Sequence, residues 1–337
     1  MKIIVEANIP YIKGLLEEFG SVEYLPAPAI TPVAVKDADA LFVRTRTKCG
    51  EGLLSGSRVS FIATATIGTD HIDLEYCRRN GITVCNAPGC NAPAVAQYVF
   101  SVIGNFFEGE SLQGLRLGVV GVGNVGSIVA RWGERLGMDV MLCDPPRMRR
   151  EGGDFVELER IAGEADIITF HTPLIREGID RTLHLADDRF FDSLGHCRLL
   201  VNSSRGAVVD NAALYSALCN GKVGAAAVDC WENEPEIDRR LLDKAFVATP
   251  HIAGYSSDGK KRATAMVLEA FARHFGVDVN GIHGIPMTDA PARGAEIADI
   301  GQVMASYNPL ADTAALKSHP ECFETLRNNY QLRQECR

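Results

Sequence analysis

The sequence predicts an α/β protein built on parallel sheets, and three observations carry that expectation. An apolar run from Leu117 to Val120 is followed by Gly121, Gly123 and Gly126, then by a helical pattern with Val129, Ala130, Trp132 and Leu136, and then by a second strand, Asp139 to Cys143, that ends on Asp144. Residues 1 to about 90 alternate short apolar runs with helical segments, the pattern of a sheet covered by helices. From Ile167 to Ala248 four more apolar runs each stop at a polar residue, where an open α/β sheet keeps its ligand.

The glycine stretch has a mechanical reading. Gly121 permits a sharp turn, Gly123 lets backbone approach a pyrophosphate, and Gly126 lets helix and strand pack closely. Asn124 and Val125 open the helix, whose first N–H groups and partial positive charge favour an anion. Asp144 lies 18 residues past Gly126, close to the spacing at which an acid accepts hydrogen bonds from an adenosine ribose. An unphosphorylated ribose, hence NAD, is favoured. The bare Gly-x-Gly-x-x-Gly pattern also describes ordinary glycine-rich turns; the two strands, the helix and the acid around it are what make it informative here.

At 337 residues the chain is long enough for two domains and a small third unit. An apolar content of 46% with 23% charged residues describes a globular protein, and a net charge of -9 argues against general nucleic-acid binding. An anionic substrate would need its own local cations. The start, MKIIVEANIPY, lacks the basic and apolar regions of a signal peptide, and the longest apolar stretch, Ala92 to Phe107, is too short to span a bilayer, so no membrane association is expected and a cytoplasmic location is. Ten cysteines without a C-x-x-C pair read as free thiols in a reducing compartment.

Taken in order, strands are expected at Ile3 to Val5, Ala40 to Val43, Phe61 to Thr64 and Ile82 to Cys85, and helices at Tyr11 to Phe19 and Leu74 to Asn80. After the second strand come Arg44, Thr45, Arg46, Thr47 and Lys48, a ligand loop or a solvated charge run. After the third comes ATATIGTDHID, in which Thr64, Thr66 and Thr69 surround Gly68; it suits a carboxylate or phosphate, or a helix start capped by Asp70. A Pro-Gly turn and an apolar helix from about Pro93 to Phe107 then lead into the nucleotide unit. Pro145-Pro146-Arg147 reads as a turn, and Phe155 to Ala162 as an amphipathic helix. The later strands, Ile167 to Phe170, Leu199 to Val201, Val223 to Val228 and Phe246 to Ala248, deliver Thr172, Arg205, Asp229 and His251 to one sheet edge. An amphipathic helix from Ser257 to Phe275 returns the chain to the first domain. Domain one is therefore expected to be discontinuous, residues 1–92 and 257–280, with the nucleotide domain, 93–256, inserted in it. Residues 281–337 are turn-rich with one more helix, Glu321 to Gln334, and are too few for a core of their own.

Hydride transfer from an alcohol carbon needs a base, a group that tunes it and a cation for the substrate. His251 suits the base, Glu234 on the preceding loop suits its far ring nitrogen, and Arg205 suits a substrate carboxylate. Alone, each has a structural alternative: Arg205, for example, could pair with Asp210. His71, His171, His184, His196, His274, His283 and His319 lack a carboxylate context in the sequence; His171 is set apart because it abuts Thr172. No spacing suggests a catalytic metal.

At these residues the sequence resembles the D-2-hydroxyacid dehydrogenase family, in which the glycine fingerprint, an Arg in N-x-x-R-G, a Glu before Pro and a His in P-H-x-x-G occur in this order. The similarity runs from VEANIPY and VRTRTK through TATIGTDHID, APGCNAPAVAQYVF, GVVGVGNVG, LCDPPR, FHTPL, TLHLAD, RGAVVDNAAL and PHIAGYSSDGK. Several of these segments are particular to one member, which acts on a phosphorylated acid. The resemblance implies a two-lobed fold, a Rossmann-type NAD domain inserted in a flavodoxin-like substrate domain, with a small C-terminal α+β dimerisation segment, shorter here than usual, and a homodimer. It implies His251 as acid/base, Glu234 as its partner and Arg205 as carboxylate holder; Asp144, Thr172, Ser203, Ser204, Arg205, Asp229, Gly254 and Tyr255 toward NAD; and Thr45, Thr66 and Tyr255 toward substrate. A substrate with both carboxylate and phosphate needs two anion sites, and Arg44, Arg46 or Lys48 is expected at the second. The competing expectations are a member acting on another phosphorylated acid and an NAD-sensing binding protein.

Overall fold

Strands buried on both faces read as unbroken apolar runs, and the chain places two sets of them in two all-parallel sheets. A computed structural model describes residues 1–278, 282 and 284–337; His283 and the domain boundary expected between residues 280 and 281 lie outside the described residues. Two units divide the chain, Met1–Asn91 with Ser257–Asp289, and Ala92–Ser256 with Ala290–Arg337.

In the first unit, β1 (Lys2–Glu6), β2 (Ser21–Leu25), β3 (Ala40–Val43), β4 (Phe61–Thr64) and β5 (Thr83–Cys85) form a sheet in the order β2-β1-β3-β4-β5. Successive residues serve opposite faces: Ile3, Val5, Phe42, Phe61 and Ala63 pack with Val267, Leu268 and Phe271 of the helix Ser257–Phe275. Ile4, Leu41, Val43 and Ile62 pack with Leu53, Leu54, Tyr76 and Cys77. Every crossover is parallel, so the loops after β1, β3 and β4 gather at one edge.

One expectation fails here, and one strand was not foreseen. Tyr11 to Phe19 is not a helix: Tyr11 and Gly14 take positive φ, and only Glu17–Phe19 forms a 3₁₀ turn. β2 had no expectation, because SVEYL lies at the sheet's edge with a polar, partly exposed pattern and has only β1 beside it.

The second unit carries β6 (Arg116–Val120), β7 (Asp139–Cys143), β8 (Ile167–Phe170), β9 (Cys197–Asn202), β10 (Val223–Val228) and β11 (Val247–Ala248), in the order β11-β10-β9-β8-β6-β7. The chain leaves β6 toward β7 on one side and returns to β8 on the other, which opens a crevice at the carboxyl ends of β6 and β8. Leu117, Val119, Leu199 and Val201 face the helix Ala92–Phe106, whose residues Ala92–Gly104 are all buried, as expected of a helix apolar all round. Ile168, Phe170, Leu200 and Val228 face the other core.

Pro145-Pro146-Arg147 does follow the end of β7 at Cys143, but as the first turn of a helix, Pro145–Glu151, and not a plain turn: Asp144 caps it, and proline fits the first helical positions, where its missing N–H costs nothing. The helix expected at Phe155 to Ala162 runs from Leu158 to Glu164. Beyond Ala290 the described residues form the helices Ile300–Ser306, Leu310–Ser318 and Phe323–Asn328; the helix expected to reach Gln334 ends at Asn328, and the tail beyond makes one parallel bridge, Ser256 with Arg333. No helix among the described residues is long and apolar enough to cross a membrane.

Candidate functional site

In the second unit, the glycine turn is built as its residues require. Gly121 has φ +87, and a Cβ there would lie 2.8 Å from the Thr172 amide nitrogen, while one on Gly126 would lie 2.0 Å from the Gly121 carbonyl oxygen. Gly123 faces open space, and the helix Asn124–Arg135 that it precedes has no side-chain cap, so its first N–H groups are left for an anion. Asp144 accepts the Val122 amide at 2.9 Å through Oδ2 and the Arg147 amide at 2.9 Å through Oδ1, which fixes the carboxylate at the end of β7 with lone pairs to spare. At the ends of β8 and β9, Thr172 Oγ1 and Ser203 Oγ are buried hydroxyls with no hydrogen-bond partner among the described residues. Uncapped amides, an open glycine, a fixed acid and two orphan hydroxyls along one sheet edge fit a dinucleotide.

The other end of the sheet edge carries the proposed chemistry. His251 Nδ1 lies 2.9 Å from Glu234 Oε2 and 3.1 Å from Oε1. Glu234 is itself oriented by the Trp231 amide, which donates to Oε1 at 2.9 Å, and the Trp231 indole donates to the Thr249 carbonyl. Burial pushes the Glu234 carboxyl up, but His251, the Trp231 amide and Arg327 outweigh it and hold the carboxyl below its ordinary value. His251 has φ +58, a left-handed conformation that costs a non-glycine residue about 1 kcal/mol. Asp229 compensates. Its carbonyl accepts the His251 amide at 2.9 Å, and its carboxylate, fully buried, accepts from Ile252 N at 2.7 Å, Ala253 N at 3.0 Å and Thr249 Oγ1 at 2.6 Å. Burial raises the Asp229 carboxyl above its ordinary value, against these donors and His251. Asp229 is thus engaged in holding the histidine loop, a duty no local pattern announced.

Arg205 follows β9 and Asn202, whose side chain accepts from Ser204 and donates to the Arg205 carbonyl at 3.1 Å. Arg205 Nη1 donates to the Ser204 carbonyl at 2.8 Å. Asp210, its possible structural partner, caps the helix Asn211–Cys219 instead. Gly206 is required by close approach: a Cβ there would lie 1.8 Å from the Trp231 carbonyl oxygen, so the arginine loop is pressed against the loop that carries Glu234. Gly254 and Tyr255 follow His251, and Tyr255 closes a turn onto the Ile252 carbonyl.

His171 takes a structural role, while His184 and His319, the latter 3.4 Å from Glu321, depart from the expectation that they lack a carboxylate. His171 bonds Thr169 at 2.9 Å, and burial lowers it to about 3, so it stays neutral. His184 has a carboxylate context after all: Nε2 lies 2.7 Å from Glu232 and Nδ1 3.4 Å from Asp210, partners 48 and 26 residues away. A Cys230 sulfur, a Glu234 oxygen and a His251 nitrogen lie within 4.8 Å of one another, a grouping that suits a cation. Burial raises the Cys230 thiol well above its ordinary value, however, and metals take the thiolate, so the Glu234–His251 hydrogen bond is the better account of the three.

The first unit has its own polar edge. Buried Glu6 accepts the Arg44 amide at 2.9 Å and Thr47 Oγ1 at 2.8 Å, which pins the loop after β3 and leaves Thr45, Arg46 and Lys48 exposed. Arg44 Nη1 donates to the Asn8 carbonyl at 3.0 Å. In the loop after β4, Thr66 Oγ1 lies 2.7 Å from Thr64 Oγ1.

Known proteins resemble the chain over nearly its whole length. The family model for the D-isomer specific 2-hydroxyacid dehydrogenase NAD binding domain matches residues 96–253. An erythronate-4-phosphate dehydrogenase of Bacteroides thetaiotaomicron is 48% identical over 99% of this chain and 97% of its own, and one of Serratia proteamaculans is 41% identical over 99% and 93%. A D-lactate dehydrogenase of Aquifex aeolicus, solved with NAD and lactic acid, superposes with TM-score 0.68 at 26% identity over 81% of this chain and 96% of its own.

Proposed function

This chain belongs to the erythronate-4-phosphate dehydrogenases of the D-2-hydroxyacid dehydrogenase family, and we propose on that footing that it oxidises 4-phospho-D-erythronate to (R)-3-hydroxy-2-oxo-4-phosphooxybutanoate with NAD, on the route to pyridoxal 5'-phosphate. The observation that carries the reading is the Glu234–His251 pair at 2.9 Å, one loop from Arg205. NAD, when bound, supplies the hydride acceptor. Asp144 and the first amides of the helix Asn124–Arg135 would hold its ribose and pyrophosphate, and Thr172 and Ser203 bring two hydroxyls with no partner among the described residues to the same edge. With Nδ1 bonded to Glu234, His251 keeps Nε2 for the substrate's 2-hydroxyl proton. Glu234 stabilises the imidazolium that results, and the same proton returns to the oxygen in the reverse direction. Arg205 grips the carboxylate next to the reacting carbon, and its charge polarises the neighbouring C–O bond. Ser204, Gly254 and Tyr255 complete the cofactor edge; Thr45, Thr66 and Tyr255 contact substrate, and Arg44 or Arg46 holds its phosphate. An unchanged KM in alanine variants of Arg44, Arg46 and Lys48 alike would reject that last assignment.

A homodimer in the cytoplasm completes the proposal. No disulfide links any of the ten cysteines, as suits a reducing compartment, and light scattering tests the dimer. For the activity itself the test is NADH absorbance. It rises when 4-phosphoerythronate is added with NAD, and stays flat with 3-phosphoglycerate.

A further inference from the structure

We propose that Arg327, carried by the last helix, Phe323–Asn328, is a positioning residue that balances the charge of Glu234 and thereby sets the pH range in which the acid–base pair works. The proposal rests on the reading of Glu234 and His251 as that pair. Arg327 Nη1 lies 3.8 Å from Glu234 Oε2, the same oxygen that meets His251 Nδ1 at 2.9 Å. Arg327 Nε donates to the Tyr255 hydroxyl at 3.3 Å, so the guanidinium bridges the carboxylate and a tyrosine four residues past His251. Only 18% of either side chain is exposed, and charges this sheltered are weakly screened.

The placement of Arg327 is over-determined. Phe323 on the same helix is fully buried in the core, and Leu326 packs against it. Downstream, Arg333 donates to the carbonyls of Ile252 at 3.1 Å, Tyr255 at 3.2 Å and Ala94 at 3.0 Å, to Gln97 Oε1 at 3.1 Å, and to the carbonyl of Ala253. Its guanidinium also stacks on Tyr307, 4.2 Å from the ring centroid. The C-terminal tail is therefore tied to the histidine loop by one arginine and reaches the histidine's partner with another.

A carboxylate sheltered beside one imidazole favours the imidazolium, which cannot accept a substrate proton. A second cation on the same oxygen divides that attraction, so the imidazole gains and loses its proton with comparable ease. The other charged or titratable groups facing the pair are Asp229 and Cys230 on the preceding strand end, Arg205 on the β9 loop, Tyr255, and Glu324, which lies 3.8 Å from Arg327. Among these, Arg327 and Arg205 are the cations, and Arg205 is assigned to substrate.

The test uses the full chain with Arg327→Gln, Arg327→Met and Arg327→Lys, and reads kcat, KM and the pH profile of 4-phosphoerythronate oxidation. In the two neutral variants kcat falls about tenfold, KM for NAD is unchanged, and the limb along which activity rises with pH moves to higher pH, because the uncompensated carboxylate retains the proton on His251. Arg327→Lys leaves the limb where it is and recovers most of kcat. Met keeps the apolar stem, so the comparison survives if Gln fails to fold. A limb unmoved in the neutral variants, or moved equally by Lys, overturns the proposal. Absence of NADH formation by the parent protein with any 2-hydroxy acid would instead count against the acid–base reading itself.

Discussion

Replacing Glu234 by Gln isolates the charge of the carboxylate from its shape. Gln keeps one oxygen for the His251 Nδ1–H and loses the negative charge. At the observed 2.9 Å, opposite unit charges attract by about 6 kcal/mol at an effective dielectric of about 20. Desolvating the pair offsets more than half of this, which leaves about 2–3 kcal/mol that acts on the imidazolium and not on the neutral ring. That difference enters the barrier directly, so kcat should fall about a hundredfold, with KM for NAD little changed. Stopped-flow and steady-state NADH absorbance measure both. Stability adds an independent check. The Glu234 carboxyl is held below its ordinary value of 4.5, so its contribution is complete above that value and is lost as pH falls through the lower folded-state value. Glu234→Gln should therefore melt below the parent at neutral pH, and the two melting temperatures should converge in acid. A variant with kcat within about threefold of the parent would refute the assignment of the carboxylate to the transition state.

Asp144→Ala removes the expected ribose acceptor and the clamp on the Val122 amide, and should raise KM for NAD by about tenfold to a hundredfold while narrowing the preference over NADP, read by parallel titrations. Gly206→Ala cannot be seated without moving the Trp231 carbonyl, and should cost more than about 2 kcal/mol in thermal denaturation and lower kcat through Glu234. Asp229→Ala strips the acceptor from Thr249, Ile252 and Ala253, and should lose about 3 kcal/mol in urea denaturation together with activity. Arg205→Lys keeps the charge but loses the two-pronged grip, so substrate KM should rise about tenfold or more, while KM for NAD holds.

Much of the fold was legible because the central strands are buried on both faces and so carry dense apolar runs: Ala40–Val43, Phe61–Thr64, Ile167–Phe170 and Val223–Val228 were readable from composition alone. The edge was not. Ser21–Leu25 is half exposed and owes its extended form to pairing with β1, which no local pattern encodes. Around Tyr11 the apolar spacing suggested a helix, but Ile9, Ile12 and Leu16 enter the core from turns. Pro145 and Pro146 read as a turn ending the strand, because proline serves both a turn and the first turn of a helix, and the capping hydrogen bond that the Asp144 side chain accepts decides which.

The polar residues at strand ends were visible one by one, since the stop of an apolar run marks them. Which of them touch was not. The chain by itself determined two parallel sheets, the glycine turn and the order Arg205, Glu234, His251, because burial and backbone sterics act over a few neighbours and leave a periodic trace. Tertiary structure decided that Glu234 meets His251 Nδ1, that Asp229 holds the loop behind it, that His184 sits between Glu232 and Asp210, and that Arg327 and Arg333 return from the C-terminal tail to the same loop. Hydrogen bonds and ion pairs act across a few ångströms of space whatever the distance along the chain, and partners 17 to 93 residues apart leave no periodicity to read.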